Sequence, residues 1–283
     1  MESSTAQNML DLLSTVKGGK VVVDSGIPFA YGNSRTGSHH QNFVWGKVST
    51  ETLRMAKQEF GRDGYGWWVT EDARDDREKL KETGHTFCGL TPEMSCDIAG
   101  PQKKGKLIDA LTKRIEKKYP DLNTLWAQKK FTIEKVTKDE FQDFVDSQKE
   151  LFPEIPQEST QKFYERSYLP NIDKNVMFGF LARLDKKSVG SVLTYLGKKT
   201  VGVYSMCVSK EERHKGIGTA LIRYAIEHTP MPDNTEEIVG TSLFEAVGFY
   251  QRLGAGIDVS RGLAYYVMEP KPLINEEDYF PTL

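Results

Sequence analysis

Apolar positions between Phe131 and Pro270 switch repeatedly between two periods. "FTIEKV" alternates apolar and polar residues, the pattern of a half-buried strand. In "KDEFQDFVDSQKELF" the apolar residues Phe141, Phe144, Val145 and Leu151 fall at helical spacing, and Pro153 and Pro156 end the helix. "ESTQKFYERSYLP" reads as a second helix. "VMFGFLARLD", "SVGSVLTYLG" and "TVGVYSMCVS" read as three strands, joined by turns at Asp185-Lys186-Lys187 and Gly197-Lys198-Lys199. A helix "IGTALIRYAIEHT", a strand "EEIVGTSL", a helix "FEAVGFYQRLG" and a strand "GLAYYVMEP" complete the order βααβββαβαβ.

The first half is patterned less regularly. "MLDLLSTV" forms a short amphipathic helix stopped by Gly18-Gly19. "STETLRMAKQEFG" has start chemistry at Ser49, Glu51 and Thr52 and a stop at Gly61. Trp67-Trp68-Val69 is strand-like, and "EDARDDREKLKETG" is a charged helix ending at Gly84. "HTFCGL" and "MSCDIAG" are expected as two short strands on either side of Thr91-Pro92. Between the halves, "GPQKKGKLIDALTKRIEKKYP" is a basic helix broken at Tyr119-Pro120. Its seven Lys/Arg from Lys103 to Lys118 read as a solvated face.

Composition narrows the function classes. The 283 residues allow one large or two ordinary domains, and a net charge of −2 argues against a general nucleic-acid binder. Cys88, Cys96 and Cys207 show no CxxC pairing, which argues against a disulfide framework or a zinc cluster. His39-His40 are adjacent and do not face one way, so no metal is expected. No apolar run is long enough to span a bilayer and the N-terminus lacks a signal pattern. No membrane partner is therefore expected, and a cytoplasmic location follows by default.

The stretch that carries chemistry is "RHKGIG", Arg213 to Gly218, between a strand and a helix. A helix N-terminus exposes unpaired N–H groups and a partial positive charge, and it seats a phosphate where side chains do not block it. Gly216 and Gly218 remove those side chains, and Arg213 and Lys215 add charge. A tight turn with close helix–sheet packing is the other reading of the two glycines. The spacing is neither a Walker A loop nor a Rossmann fingerprint.

The pattern [Q/R]-x-x-G-x-[G/A], opening a helix after a strand, resembles motif A of the GNAT superfamily, the Gcn5-related N-acetyltransferases. "FYQRLGA" resembles the family's Y-x-x-L-G-F signature, with Ala255 in place of the aromatic. The resemblance covers about Phe131 to Pro270. It implies an α/β (α+β) GNAT fold: a central mixed, mostly antiparallel sheet flanked by helices. It also implies a donor, acetyl-CoA, and an amine acceptor attacked directly in a ternary complex. Backbone groups of Met206, Cys207 and Val208 would pair with the pantetheine arm. Arg213, His214, Lys215, Gly216, Ile217, Gly218 and Thr219 would cradle the pyrophosphate. Tyr250 would protonate the leaving thiolate, which a phenol with an ordinary pKa of ~10 can do at neutral pH.

Two departures stand out. Relatives carry a glutamate base near the strand before the loop or on the next strand; here those places hold Tyr204 and Ser205, and Ile238. Glu236 and Glu237 adjoin Ile238, and Glu237 or a water chain is left as the route for the proton. Leu243, beside Ser242, stands where some relatives place an asparagine that contacts coenzyme A. Both leave open a non-catalytic acyl-CoA-binding sensor. Glu154 and Glu158, in the loop "LFPEIPQEST", are read as solvated loop acids. No His/Asn partner pattern supports a nucleophilic Cys207.

The first half resembles, over about Asn42 to Ile98, the first half of tandem GNAT proteins, with Pro92, Met94 and Asp97 in their P-x-M-x-x-D stretch. The resulting division is a second, smaller GNAT-like domain at 1–100 without a cofactor seat, a linker with the basic helix at 101–130, and a GNAT domain at 131–283. A homodimer is compatible with this organisation.

Overall fold

The computed structural model describes residues 4–15, 20–24, 27–32, 43–60, 64–70, 73–151 and 157–268. Gly18-Gly19, His39-His40, Gly61, Pro153, Glu154 and Pro156, on which expectations above rest, lie outside them. By contact the chain forms two compact units: residues 1–94, 158–168 and 241–283, and residues 95–157 and 169–240. This grouping departs from the division by sequence. Residues 241–268 group with the N-terminal elements, and residues 101–130 group with the strands that follow them.

The first unit is built on strands β1 (Lys20–Asp24), β2 (Ile27–Gly32), β3 (Phe43–Trp45), β4 (Gly66–Thr70), the N-terminal part of β5 (Thr86–Asp97) and β11 (Gly256–Val267). They lie in the order β1-β2-β3-β4-β11-β5. Helices α1 (Ser4–Thr15), α2 (Thr50–Phe60), α3 (Arg74–Glu82), α7 (Gln157–Ser167) and α10 (Phe244–Arg252) complete it. The start chemistry of α2 is as the sequence suggests. The Ser49 hydroxyl accepts from the Thr52 N–H at 3.0 Å, and the Ser49 N–H donates to Thr52 Oγ1 at 2.8 Å, which satisfies two donors reciprocally. α3 ends on Gly84 at φ +88°, with Gly84 N–H to Lys81 O and His85 N–H to Leu80 O, a Schellman closure. The core gathers Val44, Phe60, Tyr65, Trp67, Leu80, Phe87 and Tyr266.

Two features of this unit differ from expectation. The β1–β2 hairpin, paired from Lys20↔Tyr31 to Asp24↔Ile27, was not anticipated, although Val21-Val22-Val23 before Ser25-Gly26 carries its signal. "TFCGLTPEMSCD" is one strand, not two. A residue before proline is pushed toward extended backbone, so Thr91-Pro92 continues a strand instead of ending it. Pro92 still offers a carbonyl, which accepts the Ser242 N–H at 3.1 Å.

The second unit has strands β6 (Phe131–Lys135), β7 (Met177–Leu184), β8 (Lys187–Leu196), β9 (Thr200–Val208) and β10 (Glu237–Thr241, through Gly240), in the order β10-β9-β8-β7-β6. All neighbours are antiparallel except β9 and β10. Its helices are α4 (Pro101–Lys118), α5 (Pro120–Ala127), α6 (Phe141–Leu151), α8 (Leu169–Ile172) and α9 (Ile217–His228). The expected order of the second half recurs strand for strand, with α8 as an added short helix. α9 packs on β7, β8 and β9, and α6 packs on β8 and β9. No described helix is long and apolar enough to cross a membrane.

The basic helix α4 is more than a solvated face. It buries Leu111 and Ile115 and runs along α9, where Arg223 Nε donates to Thr112 Oγ1 at 3.1 Å. At its end, the Tyr119 ring covers Gly216. A Cβ built on Gly216 would stand 2.5 Å from Tyr119 Cγ, and Gly216 has φ +91°. Gly216→Ala therefore meets a left-handed backbone and a ring at once. The expected loss of stability is ~2 kcal/mol or more. In a Tyr119→Ala background the added loss falls to the backbone share, ~1 kcal/mol. Denaturant unfolding of the four-protein cycle checks this, and strictly additive losses would contradict the contact.

His85 is buried against Tyr65 and Trp67, both edge-on to its ring. Its Nδ1 lies 3.2 Å from Leu80 O, an acceptor only, so Nδ1 carries the hydrogen and Nε2 is buried without a partner. Burial pushes the imidazole down to about 4. The folded state thus resists binding a proton that the unfolded chain accepts near pH ~6.5. Stability is present above that pH and is lost as pH falls from about 6.5 to about 4, by an amount on the order of 3 kcal/mol. Unfolding free energies of wild type and His85→Gln between these pH values check it; the variant is expected to show the flatter profile, and parallel profiles would refute the assignment.

Candidate functional site

The chain leaves β9 at Val208 and enters α9 at Ile217 through a short turn built by local bonds. Ser209 N–H donates to Val189 O at 2.8 Å, and Glu212 N–H donates to Ser209 O at 3.0 Å, closing a 3₁₀ turn over Lys210–Glu212. His214 then takes φ +64° and Gly216 φ +91°, with Lys215 between them outside the positive-φ region. Alternating hands of this kind turn successive N–H groups toward one side and make an anion-binding concavity. His214, a non-glycine residue in the left-handed region, shows that the turn is enforced.

The first turn of α9 has the same character. Gly216 is its N-cap, and no side chain caps the helix. The Ile217 and Thr219 side chains are each 2% exposed and point into the unit, so both offer only backbone to the mouth. Arg213, His214 and Lys215 are exposed around it. Arg213 Nε donates to Val208 O at 3.1 Å, which ties its guanidinium to the end of β9. Lys215 Nζ pairs with Glu212 at 2.9 Å; the lysine is exposed and the glutamate mostly covered.

β9 changes character along its length. Its parallel register with β10 runs from Glu237↔Thr200 to Val239↔Gly202, and residues 203–208 extend beyond it. On the β8 side, Leu193 faces Tyr204 but Ser191 faces Cys207, so β9 carries one extra residue. Ser205 at φ +49° marks this bulge. Met206, Cys207 and Val208 lie between the bulge and the turn.

The Cys207 thiol faces Ser191 Oγ at 3.2 Å, so this residue too offers only backbone to a ligand. Burial pushes the thiol up to about 12, which keeps it protonated and unsuited to nucleophilic attack. Glu236 is exposed and paired with Lys199 at 2.7 Å, while Glu237 is half-buried on β10. Among the described residues no three His, Cys, Asp or Glu side chains gather as a metal site.

Residues 206–219 thus form one continuous stretch of the second unit. Tyr250 belongs to the first unit, on α10. Every residue of that helix stays at least partly exposed, so Tyr250 is not a core aromatic; its ring meets Phe249 edge-on at 5.0 Å. Glu158 is exposed and its carboxyl is held below the usual range by a hydrogen bond and ion pair with Lys162. Sequence reasoning missed Tyr119 at the mouth and Gln148 and Ser191 behind the bulge. Only the position of Tyr119 before Pro120, at the break of α4, gave any signal of the first.

Comparison with known proteins agrees with this geometry. Residues 177–254 match the acetyltransferase (GNAT) domain family model, a span that holds β7 to α10 and the whole mouth. No curated protein sequence matches the chain. Among solved structures, a GCN5-related N-acetyltransferase from Kribbella flavida superposes with a TM-score of 0.61 at 14% identity, over 96% of this chain and 98% of that one. A functionally unknown conserved protein from Staphylococcus epidermidis gives 0.60 at 15% identity, over 88% and 93%. A tandem GNAT protein from the clavulanic acid biosynthesis pathway gives 0.51 at 12% identity, over 95% and 97%. Strand order and family model agree: residues 177–254 match an acetyltransferase (GNAT) domain, and the chain takes the GNAT fold.

Proposed function

We propose that the chain transfers an acetyl group from acetyl-CoA to a primary amine by direct attack in a ternary complex. The observation that carries this reading is the mouth of α9: an N-terminus with no side-chain cap, reached through alternating left-handed residues His214 and Gly216. The backbone N–H groups there hold a pyrophosphate, with Arg213 and Lys215 adding charge. The backbone of Met206, Cys207 and Val208 pairs with the pantetheine arm as an added strand, and N–H groups of this stretch polarise the thioester carbonyl. Holding both reactants in line supplies much of the rate. Tyr250 donates the proton to the departing thiolate; its place in the "YQRLG" signature supports this role.

An attacking amine must first lose a proton, since a lysine-like amine starts near pKa ~10.4. Tyr204, Ser205 and Ile238 provide no carboxylate for this, so the route runs through Glu237 or water. That same feature favours a second reading, a CoA-binding sensor without transfer. The likeness to a tandem GNAT protein over 95% of this chain supports reading the first half as a GNAT-like domain without a cofactor seat.

Thermal shift with acetyl-CoA and with CoA, followed by thiol release across a panel of amines, separates the readings. Stabilisation by both nucleotides and release with at least one amine is the expected result. Binding without release from any amine favours the sensor, and no stabilisation by either nucleotide contradicts both. Tyr250→Phe is expected to lower turnover about 10²-fold or more while acetyl-CoA affinity holds within a few-fold. Steady-state kinetics beside a binding titration check it, and unchanged turnover would remove the proton-donor role.

A further inference from the structure

Behind the β9 bulge lies a buried polar chain that the reaction as described does not use. Gln148, on α6, and Ser191, on β8, are both fully buried at 0% exposure. Gln148 Nε2 donates to Ser191 Oγ. Ser191 Oγ stands 3.2 Å from Cys207 Sγ and 3.5 Å from Ser205 O. Cys207 Sγ in turn lies 3.8 Å from Ser205 O, within reach for a thiol donor. A head-to-tail assignment runs from the Gln148 amide to the Ser191 hydroxyl, from that hydroxyl to the Cys207 sulfur, and from the thiol to the Ser205 carbonyl. The chain starts in a helix, crosses one strand, and ends on the two residues that flank Met206.

Its position is not arbitrary. Ser191 is the β8 residue at which the register slips, so it stands opposite the extra residue of β9. A bulge takes a residue out of the ladder and leaves its backbone to be held by something else. A buried hydroxyl and amide with no partner are costly, so a satisfied chain here admits few arrangements of the bulge. The left-handed Ser205 is the conformation that this chain selects.

We infer that Gln148 and Ser191 are positioning residues, which fix the β9 bulge so that the backbone at Met206–Val208 faces the thioester arm of the donor. This rests on the acyl-CoA reading above. Neither residue touches the donor; each acts through the carbonyl and thiol of residues 205 and 207. The consequence is specific: loss of the chain weakens recognition of the arm and leaves recognition of the phosphates intact, because Gly216–Thr219 are held by other contacts, with Tyr119 and within α9.

Two ligands separate these parts. Acetyl-CoA engages mouth and strand, whereas 3′-phospho-ADP, its nucleotide portion, engages the mouth alone. Calorimetry is run on wild type, Ser191→Ala, Gln148→Met and the double variant. Ser191→Ala is expected to raise the acetyl-CoA Kd about tenfold, the worth of about one hydrogen bond, with the 3′-phospho-ADP Kd unchanged within twofold. Gln148→Met, which keeps volume and loses the donor, is expected to act in the same direction, and the double variant to be no worse than Ser191→Ala alone. Equal weakening of both ligands, no weakening of either, or additive losses in the double variant would overturn the positioning role while the acyl-CoA reading stands. A wild type that binds neither ligand would overturn the reading and this inference together. Should Ser191→Ala fail to fold, the ratio of the two Kd values in Gln148→Met carries the same decision.

Discussion

The extra residue of β9 opposite Ser191 divides one strand into two lengths with different tasks. Before it, β9 is an ordinary sheet member, paired with β8 on one side and with β10 through Gly202 on the other. After it, the strand runs past its register with β10 and delivers the chain to the turn at Ser209. A strand in perfect register would carry its hydrogen bonds to its end and offer a ligand nothing. The bulge breaks that regularity at one residue, and the cost of left-handed Ser205, of order 1 kcal/mol, is met by the enclosed polar contacts behind it. The Cys207 thiol belongs to that supporting side. Its burial explains why a cysteine on the strand next to the mouth is no nucleophile.

The mouth of α9 follows from the same economy of side chains. A helix start needs something to accept its first N–H groups, and most helices use a Ser, Thr, Asp or Asn for this. Here the N-cap is Gly216, the two buried side chains of the first turn face inward, and no side chain caps the helix. The glycine is required twice: by its φ of +91° and by the Tyr119 ring, which fills the space a Cβ would take. Through Tyr119, the basic helix α4 is part of the wall that shapes the mouth, although it precedes residues 177–254 in the chain.

Much of this was readable from local pattern. The strands and helices of the second half, their order, and the placing of "RHKGIG" between a strand and a helix all follow from periodicity and from glycine. Proline chemistry misled at Thr91-Pro92, because a pre-proline residue suits a strand as well as a turn. The β1–β2 hairpin was missed although its valine run is plain. Other features had no local signature. The bulge, the packing of α4 along α9, and the line from Gln148 through Ser191 to Cys207 each join residues far apart in sequence. A glutamine between Ser147 and Lys149 in an amphipathic helix looks like any surface residue until the helix is docked. The grouping of α10 and β11 with the N-terminal elements is likewise a matter of contacts that no periodicity records.

The α9 mouth and the end of β9 are proposed to seat an acyl-CoA together. The most direct measurement is an amide-resolved NMR titration of the labelled protein with acetyl-CoA. The largest shifts are expected at the amides of Gly216, Ile217, Gly218 and Thr219, with a second group at Met206, Cys207 and Val208. Binding of acetyl-CoA with both groups unmoved would contradict the account.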